Sequence, residues 1–151
     1  MKLLPAESLG YQINLLARLL EHALRREIAT YGVVPGQFPA LLNLYQQDGL
    51  TQTELTRKVG IEQPTMANTL QRMERDGLIE RVADQHDRRR IRIHLSRHAR
   101  ELQPRLAQAG HQVNTRATEG LHPDELAAFM NTLARLLTNL HTGSDRPGSA
   151  A

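Results

Sequence analysis

Two short stretches of the sequence carry side chains suited to contact a double-stranded polyanion. In the first, Gln63 and Asn68 have amide groups that can pair with adenine through two hydrogen bonds. Thr65 and Arg72 suit phosphate oxygens, a contact that positions a protein without reading base sequence. The second stretch, Arg88-Arg89-Arg90, places three cations in a polar segment. Arginine responds to minor-groove width and potential, so this run is typical of a loop that contacts DNA.

The positive charge of the chain is concentrated around these stretches. The net charge over 151 residues is only +3. Between Arg72 and Arg100, however, nine arginines face five acidic residues, a net charge of +4, and the rest of the chain carries −1. Such a localised basic patch indicates a polyanion site. With three Tyr, two Phe and no Trp, a single-stranded platform of stacked aromatic side chains is not favoured.

A series of short helices is predicted to position the first stretch. A helix beginning near Pro35-Gly36-Gln37 buries Phe38, Leu41, Leu42 and Tyr45, which recur at helical spacing. Thr51 and Glu54 form a capping box that starts a short helix ended by Gly60. The next helix, 63–76, turns Met66, Leu70 and Met73 inward. Its outer side then carries the candidate base and phosphate contacts, which are Gln63, Pro64, Ala67, Asn68 and Gln71, with Thr65, Thr69 and Arg72 at the flanks.

The second stretch lies in a predicted hairpin. Residues 78–83 read as a strand, and residues 90–95 alternate strictly, with Ile91, Ile93 and Leu95 on one face. The polar connection between them carries the three arginines at its tip. Two helices, a turn, a helix and a hairpin make a winged helix-turn-helix, in which the second helix of the pair enters the major groove.

The outer segments predict further helices and an assembly. Helices over about 6–30 and 97–141 carry apolar stripes, including Leu9 to Ile28 and Leu126 to Leu140, and flank a DNA-binding lobe at about 35–96. These stripes exceed what one winged helix can cover, so we expect a two-fold homodimer. The predicted fold is mainly α with a small antiparallel β wing plus a helical dimerisation lobe. Residues 142–151, rich in Gly, Ser, Pro and Ala, are expected to be disordered.

With its helices and strands in this order, the chain resembles the MarR (multiple antibiotic resistance regulator) family from about Leu9 to Leu140. The matching stretches are Pro35-Gly36-Gln37-Phe38, residues 50–55, Gln63-Pro64-Thr65-Met66 leading to residues 72–79, and the run 84–89. The resemblance implies a homodimer through the first and the last two helices, and double-stranded operator DNA as partner. It also implies that Arg89 enters the minor groove and that Asp87 supports the wing. His122, where a Ser or Thr cap is usual, and Pro104 depart from the pattern.

Many proteins of that family are repressors released by small, often phenolic, ligands, so the resemblance implies an aromatic or phenolic effector. We expect its pocket where the two lobes meet, because such junctions commonly form concave apolar sites. The candidate effector-binding residues are Tyr11, Arg18 and His22 on the first helix and Phe38, Leu42 and Tyr45 on the second.

Other classes of protein find little support in the sequence. There is no cysteine, no Gly-rich phosphate loop, no zinc-hydrolase motif and no nucleophile elbow, so we expect neither an enzyme nor a cofactor. Seven His are present, but no two lie four residues apart on one predicted helix, and no metal site is expected. A His-based metal-responsive regulator and a winged-helix protein-interaction module stay open as alternatives. Without a leader-like start or an apolar run of about 18 residues, we expect a cytoplasmic protein without membrane contact.

Overall fold

The structure is a computed structural model that describes residues 4–143. Over these residues the chain forms six α-helices and three β-strands, which are α1 (Leu9–Ile28), α2 (Phe38–Gln46), β1 (Leu50–Thr51), α3 (Gln52–Val59), α4 (Gln63–Arg75), β2 (Ile79–Ala83), β3 (Ile91–Leu95), α5 (Arg97–Ala117) and α6 (Pro123–Gly143). The chain divides into two compact units, one ending at Val113 and the other beginning at Asn114. The mainly α fold with a small antiparallel β wing is confirmed. Of the predicted disordered tail, residues 144–151 lie outside the described residues.

The first helix begins later than the predicted residue 6. Pro5–Glu7 form a 3-10 turn, and α1 begins at Leu9 because the Ser8 side chain accepts a hydrogen bond from the Tyr11 amide. Along the predicted apolar stripe, Ile28 is fully buried, but Leu9 and Leu16 near the other end are exposed. Part of this stripe is therefore left exposed by the residues that the structure describes.

The second helix buries a different set of side chains from the one predicted. Leu41 and Leu44 are almost fully buried and Phe38 is 8% exposed, whereas Leu42 is 47% exposed. The prediction that Leu42 belongs to the buried face is wrong. Successive residues of a helix are rotated by roughly 100°, and Leu41 and Leu44, three residues apart, take the inner face and turn Leu42 outward.

The helix-turn-helix follows the predicted pattern. Thr51 Oγ1 accepts a hydrogen bond from the Glu54 amide at 3.2 Å, and Glu54 Oε2 accepts one from the Thr51 amide at 2.8 Å. This capping box starts α3, which ends at Gly60 with a left-handed φ of 74°, a conformation that favours glycine. In α4, Met66, Leu70 and Met73 are completely buried, so the predicted orientation of this helix is confirmed.

The sheet has one strand more than the predicted hairpin. Its order is β1-β3-β2, and the added strand pairs antiparallel with β3, with Leu50 opposite Ile93. A strand of two residues is too short to show an alternating pattern, so sequence periodicity does not reveal it. Because α3 begins directly after β1, the sheet connects the wing to the start of the helix-turn-helix.

The last two helices begin at defined caps. Ser96 Oγ accepts a hydrogen bond from the Ala99 amide at 3.0 Å, and α5 is continuous through Pro104. At the start of α6, His122 Nδ1 accepts from the Asp124 amide at 3.2 Å, and Glu125 Oε2 accepts from the His122 amide at 2.7 Å. His122 therefore caps α6 in the way that a Ser or Thr would. Among the described residues, every helix is too short or too polar to span a lipid bilayer.

Candidate nucleic-acid interface

The outer side of α4 presents the predicted contact residues to solvent. Met66, Leu70 and Met73 point into the core, which leaves the remaining side chains outside. We call this outer side the recognition surface. Its exposed members are Gln63, Pro64, Thr65, Asn68, Gln71, Arg72 and Arg75, and Ala67 and Thr69 are partly exposed. Asn68, Gln71, Arg72 and Arg75 line a shallow depression within it.

Two amide side chains of the recognition surface have different surroundings. Gln63 Oε1 lies 3.3 Å from both Gln52 Nε2 and Thr56 Oγ1, which belong to α3. A bidentate contact to adenine needs both ends of the amide, and here one end is already hydrogen-bonded within the chain. Gln63 thus joins the two helices of the motif. The Asn68 amide has no hydrogen-bond partner among the described residues, so both of its ends are available to a base.

The three arginines Arg88, Arg89 and Arg90 lie exposed in the turn between β2 and β3. Asp87 is hydrogen-bonded into this turn, since its Oδ1 accepts from the Arg89 amide at 3.0 Å and its carbonyl accepts from the Arg90 amide at 2.9 Å. Its carboxylate also lies 4.0 Å from Arg90 Nε. These contacts orient the backbone of the tip and leave the arginine side chains in solvent.

Asp84, which was not among the predicted site residues, makes more side-chain contacts in the wing than Asp87 does. This carboxylate is 6% exposed and accepts hydrogen bonds from the His86 and Asp87 amides at 2.7 and 3.2 Å and from Arg92 Nε. The bonds from the His86 amide and from Arg92 lower the pKa of Asp84 to about 2. Arg92 also donates to the Gly49 carbonyl at 2.9 Å. An Asp at the end of a strand that bonds the amide two residues on is a known turn signal, so this residue was open to prediction.

A groove between α3 and the wing brings together cations that are distant in sequence. It is lined by Thr51, Gln52, Thr53, Glu54 and Arg57 on one side and by Arg89, Arg90 and Ile91 on the other. The Glu54 carboxylate is engaged in the capping box, and the hydrogen bonds from Thr51 lower its pKa. Three guanidinium groups around one groove suit a phosphate group. Arg57 was missed because its position on a short helix gave no pattern that linked it to the wing.

A second carboxylate, that of Asp48, holds the sheet against α5. Asp48 accepts hydrogen bonds from the Leu95 amide at 2.8 Å, from Arg100 at 2.9 Å and from His94 Nδ1 at 3.2 Å. Burial opposes ionisation of Asp48, but these hydrogen bonds outweigh it and lower the pKa. The Gly49 backbone has a φ of 76°, and a Cβ there would lie 2.8 Å from His94 Cε1. The turn at residues 48–49 thus fixes the end of β3 and allows the close approach of the imidazole.

The six candidate effector residues lie in three kinds of surroundings. Tyr11, Arg18 and His22 are exposed along α1, and Leu42 is exposed on α2. Phe38 packs against α5, since a Cβ at Gly110 would lie 3.5 Å from Phe38 Cζ. The Tyr45 hydroxyl donates to the Ala99 carbonyl at 2.7 Å, and burial raises its pKa to about 12. Phe38 and Tyr45 therefore hold α2 against α5 in this structure.

The placement of metal-ligating side chains is a further feature of the described residues. No group of three or more His, Cys, Asp or Glu side chains over residues 4–143 is placed to hold an ion.

The helix-turn-helix, the exposed amide and guanidinium groups of α4 and the basic wing define a winged-helix DNA-binding protein. The model of the MarR family matches residues 31–90. The crystal structure of the transcriptional regulator PA3341 is 30% identical, with a TM-score of 0.78, over 89% of this chain and 99% of that one. The repressor CouR, solved bound to a 23-mer DNA duplex, is 29% identical, with a TM-score of 0.74, over 91% and 99%.

A relative found by its sequence gives the same result. The uncharacterized HTH-type transcriptional regulator YsmB of Bacillus subtilis (strain 168) is 28% identical over 121 residues, which cover 80% of this chain and 83% of that protein. This chain belongs to the MarR family of transcriptional regulators.

Proposed function

We propose that this regulator is a cytoplasmic, homodimeric, ligand-responsive repressor that binds a pseudo-palindromic operator and catalyses no reaction. The observation that carries the proposal is the recognition surface of α4, where Asn68 and Arg72 are exposed above a fully buried inner face. The similar repressor CouR was solved on a DNA duplex, which supports DNA as the partner of this chain. Selection of bound duplexes from genomic DNA tests the proposal. A bound pool in which no sequence is enriched would contradict it.

In the proposed complex, α4 enters the major groove with its N-terminal residues toward base edges. Asn68 reads a base, and Arg72 and Arg75 contact phosphates. The wing arginines reach the neighbouring minor groove, where Arg89 responds to groove width and potential. A phosphate of the intervening backbone lies in the groove lined by Arg57, Arg89 and Arg90.

Exposed apolar side chains on two helices support the homodimer. On α1, Leu9, Leu16 and Leu19 are exposed, and on α6 so are Phe129, Met130, Leu137 and Leu140. We expect the two-fold homodimer that buries these side chains to present its two recognition helices about 34 Å apart, one turn of DNA. Two half-sites with that spacing make the operator pseudo-palindromic.

Replacing Asn68 by alanine is expected to relax the preference at one base pair of each half-site by roughly 1–3 kcal/mol, because a bidentate base contact is lost. Fluorescence anisotropy with operators carrying each base at that position measures the change. Gln63→Ala serves as the comparison: it removes the hydrogen bond to α3 and should weaken binding to all the sequences alike. An unchanged base preference in Asn68→Ala would contradict the proposed docking.

The effector is proposed to be a small aromatic acid that binds next to α1, where Arg18 suits a carboxylate and Tyr11 and His22 lie on the same exposed side. A ligand releases the operator only if it prefers the conformation that cannot bind DNA. Operator DNA must then weaken ligand binding by the factor by which the ligand weakens DNA binding. Calorimetric titration with salicylate, with and without operator, tests this, and equal affinity in both titrations would exclude salicylate as the effector.

A further inference from the structure

A buried glutamine connects the segment before α2 with the end of the recognition helix. Gln37 is 2% exposed, and both ends of its amide are hydrogen-bonded. Its Oε1 accepts from the Val34 amide at 3.1 Å, and its Nε2 donates to Asp76 Oδ2 at 2.8 Å. We call this pair of hydrogen bonds the Gln37 bridge. Because Gln37 and Asp76 lie 39 residues apart in the sequence, the bridge is a tertiary contact.

The bridge continues to the recognition surface. Asp76 directly follows α4, and its second oxygen, Oδ1, accepts from Arg75 Nε at 3.0 Å. The hydrogen bonds from Gln37 and then from Arg75 lower the pKa of Asp76. Arg75 lines the depression that also contains Asn68, Gln71 and Arg72. A continuous chain of hydrogen bonds therefore runs from the backbone at Val34 to a cation on the DNA-facing side of α4.

We propose that Gln37 is a positioning residue that couples the conformation of residues 33–37 to DNA affinity through Asp76 and Arg75. This inference deepens the proposed function and rests on it. The segment lies between α1 and α2, after the left-handed Gly32 (φ 68°). When the segment moves, Gln37 loses Asp76, and Arg75 is no longer held against the end of α4. DNA affinity then falls although no DNA-contacting residue has changed.

An amide meets the requirements of this position because it accepts on one side and donates on the other. Gln37→Glu keeps the acceptor for the Val34 amide but places a carboxylate against Asp76. We expect operator affinity to fall roughly tenfold, as for a lost hydrogen bond to a charged group. Asp76→Asn offers one acceptor oxygen in place of two, so an amide that accepts from Gln37 turns its nitrogen toward Arg75, and the effect should be of similar size.

The double variant Gln37→Glu/Asp76→Asn is the decisive one. The amide introduced at position 76 can donate its Nδ2 to the new carboxylate at position 37 and keep its Oδ1 for Arg75 Nε, so both hydrogen bonds at position 76 return, the first with its polarity reversed. Operator affinity should then return to within about threefold of wild type, since a hydrogen bond to a charged group is regained. Gln46→Glu, which adds the same charge at an exposed position of α2, should bind as wild type does.

The pH dependence separates this role from a general loss of stability. In Gln37→Glu the two facing carboxylates favour binding of one proton, which raises the pKa of one of them. The affinity of Gln37→Glu relative to the wild type should therefore recover as the pH falls toward about 5, because the lowered pKa of Asp76 leaves the wild-type bridge unchanged. Thermal unfolding without DNA is measured in parallel to compare the stability of all four variants.

Two results would overturn the inference: wild-type affinity in both single variants, or a double variant that binds no better than the weaker single variant. If Gln37→Glu does not fold, the comparison of Asp76→Asn with the double variant decides in the same way. Wild-type protein that binds no specific duplex would refute the proposed function instead, so the two failures are distinguishable.

Discussion

Replacing Leu137 by glutamate is expected to produce a monomer and to lower operator affinity by roughly 10²- to 10⁴-fold, the range by which two linked contacts exceed one. Leu137 is 52% exposed within one chain, so the substitution costs the fold little. In the proposed dimer, however, it places a carboxylate in an apolar interface, where desolvation of the charge is unfavourable. Sedimentation equilibrium reports the assembly, and anisotropy of a labelled operator reports the affinity.

Asn131→Glu is the matched control, because it adds the same charge to an exposed position of α6 that lies roughly 120° around the helix from Leu137. It should stay dimeric and bind the operator normally. A Leu137→Glu protein that is monomeric but keeps full affinity would show that one subunit suffices for operator binding. Retention of the dimer would show instead that α6 does not form its interface.

Removing the wing cations together should have the second largest effect. The triple variant Arg88→Ala, Arg89→Ala, Arg90→Ala is expected to reduce the slope of log affinity against log salt by about five, since the two wings of the proposed dimer lose six cations and each neutralised phosphate contributes roughly 0.9. The arginines are exposed at the tip and the buried contacts of Asp84 lie below them, so the fold should be unaffected. Anisotropy measured between about 50 and about 200 mM salt gives the slope.

A second triple variant controls for net charge. Alanine at Arg26, Arg105 and Arg135, all exposed and none in the described DNA interface, removes the same charge from other surfaces. Its salt slope should stay close to that of the wild type. An equal decrease in both triple variants would mean that the wing makes no specific contact with DNA.

Local patterns in the sequence predicted the parts of the fold that depend on neighbouring residues. The capping box of Thr51 and Glu54 and the buried triplet Met66, Leu70 and Met73 follow from spacings of three and four residues. The same spacing placed Asn68 and Arg72 on the outer side of α4. These features are visible because helix geometry connects residues within one or two turns.

The features that escaped prediction depend on contacts between distant segments. The strand at Leu50 exists because β3 pairs with it, and the neighbouring residues carry no sign of such a pairing. The bond from Arg92 to the Gly49 carbonyl spans 43 residues, and the contact between Gln63 and α3 depends on the angle of the turn between the helices. Leu42 was misplaced because both it and Leu44 fit an apolar stripe, and only tertiary packing decides which of them is buried.

The contacts of Asp84 and Arg92 at the base of the wing have a consequence for how such a regulator diversifies. Three contacts hold β2 and β3 together at the base of the wing. They are the ion pair of Asp84 and Arg92, the hydrogen bond from Arg92 to the Gly49 carbonyl, and the hydrogen bond from the Asp84 amide to the Arg90 carbonyl at 2.8 Å. No side chain of residues 85–89 is needed for this closure. The side chains of the tip can therefore change while β2 and β3 keep their register, and new DNA preferences can arise by mutation without a loss of foldability.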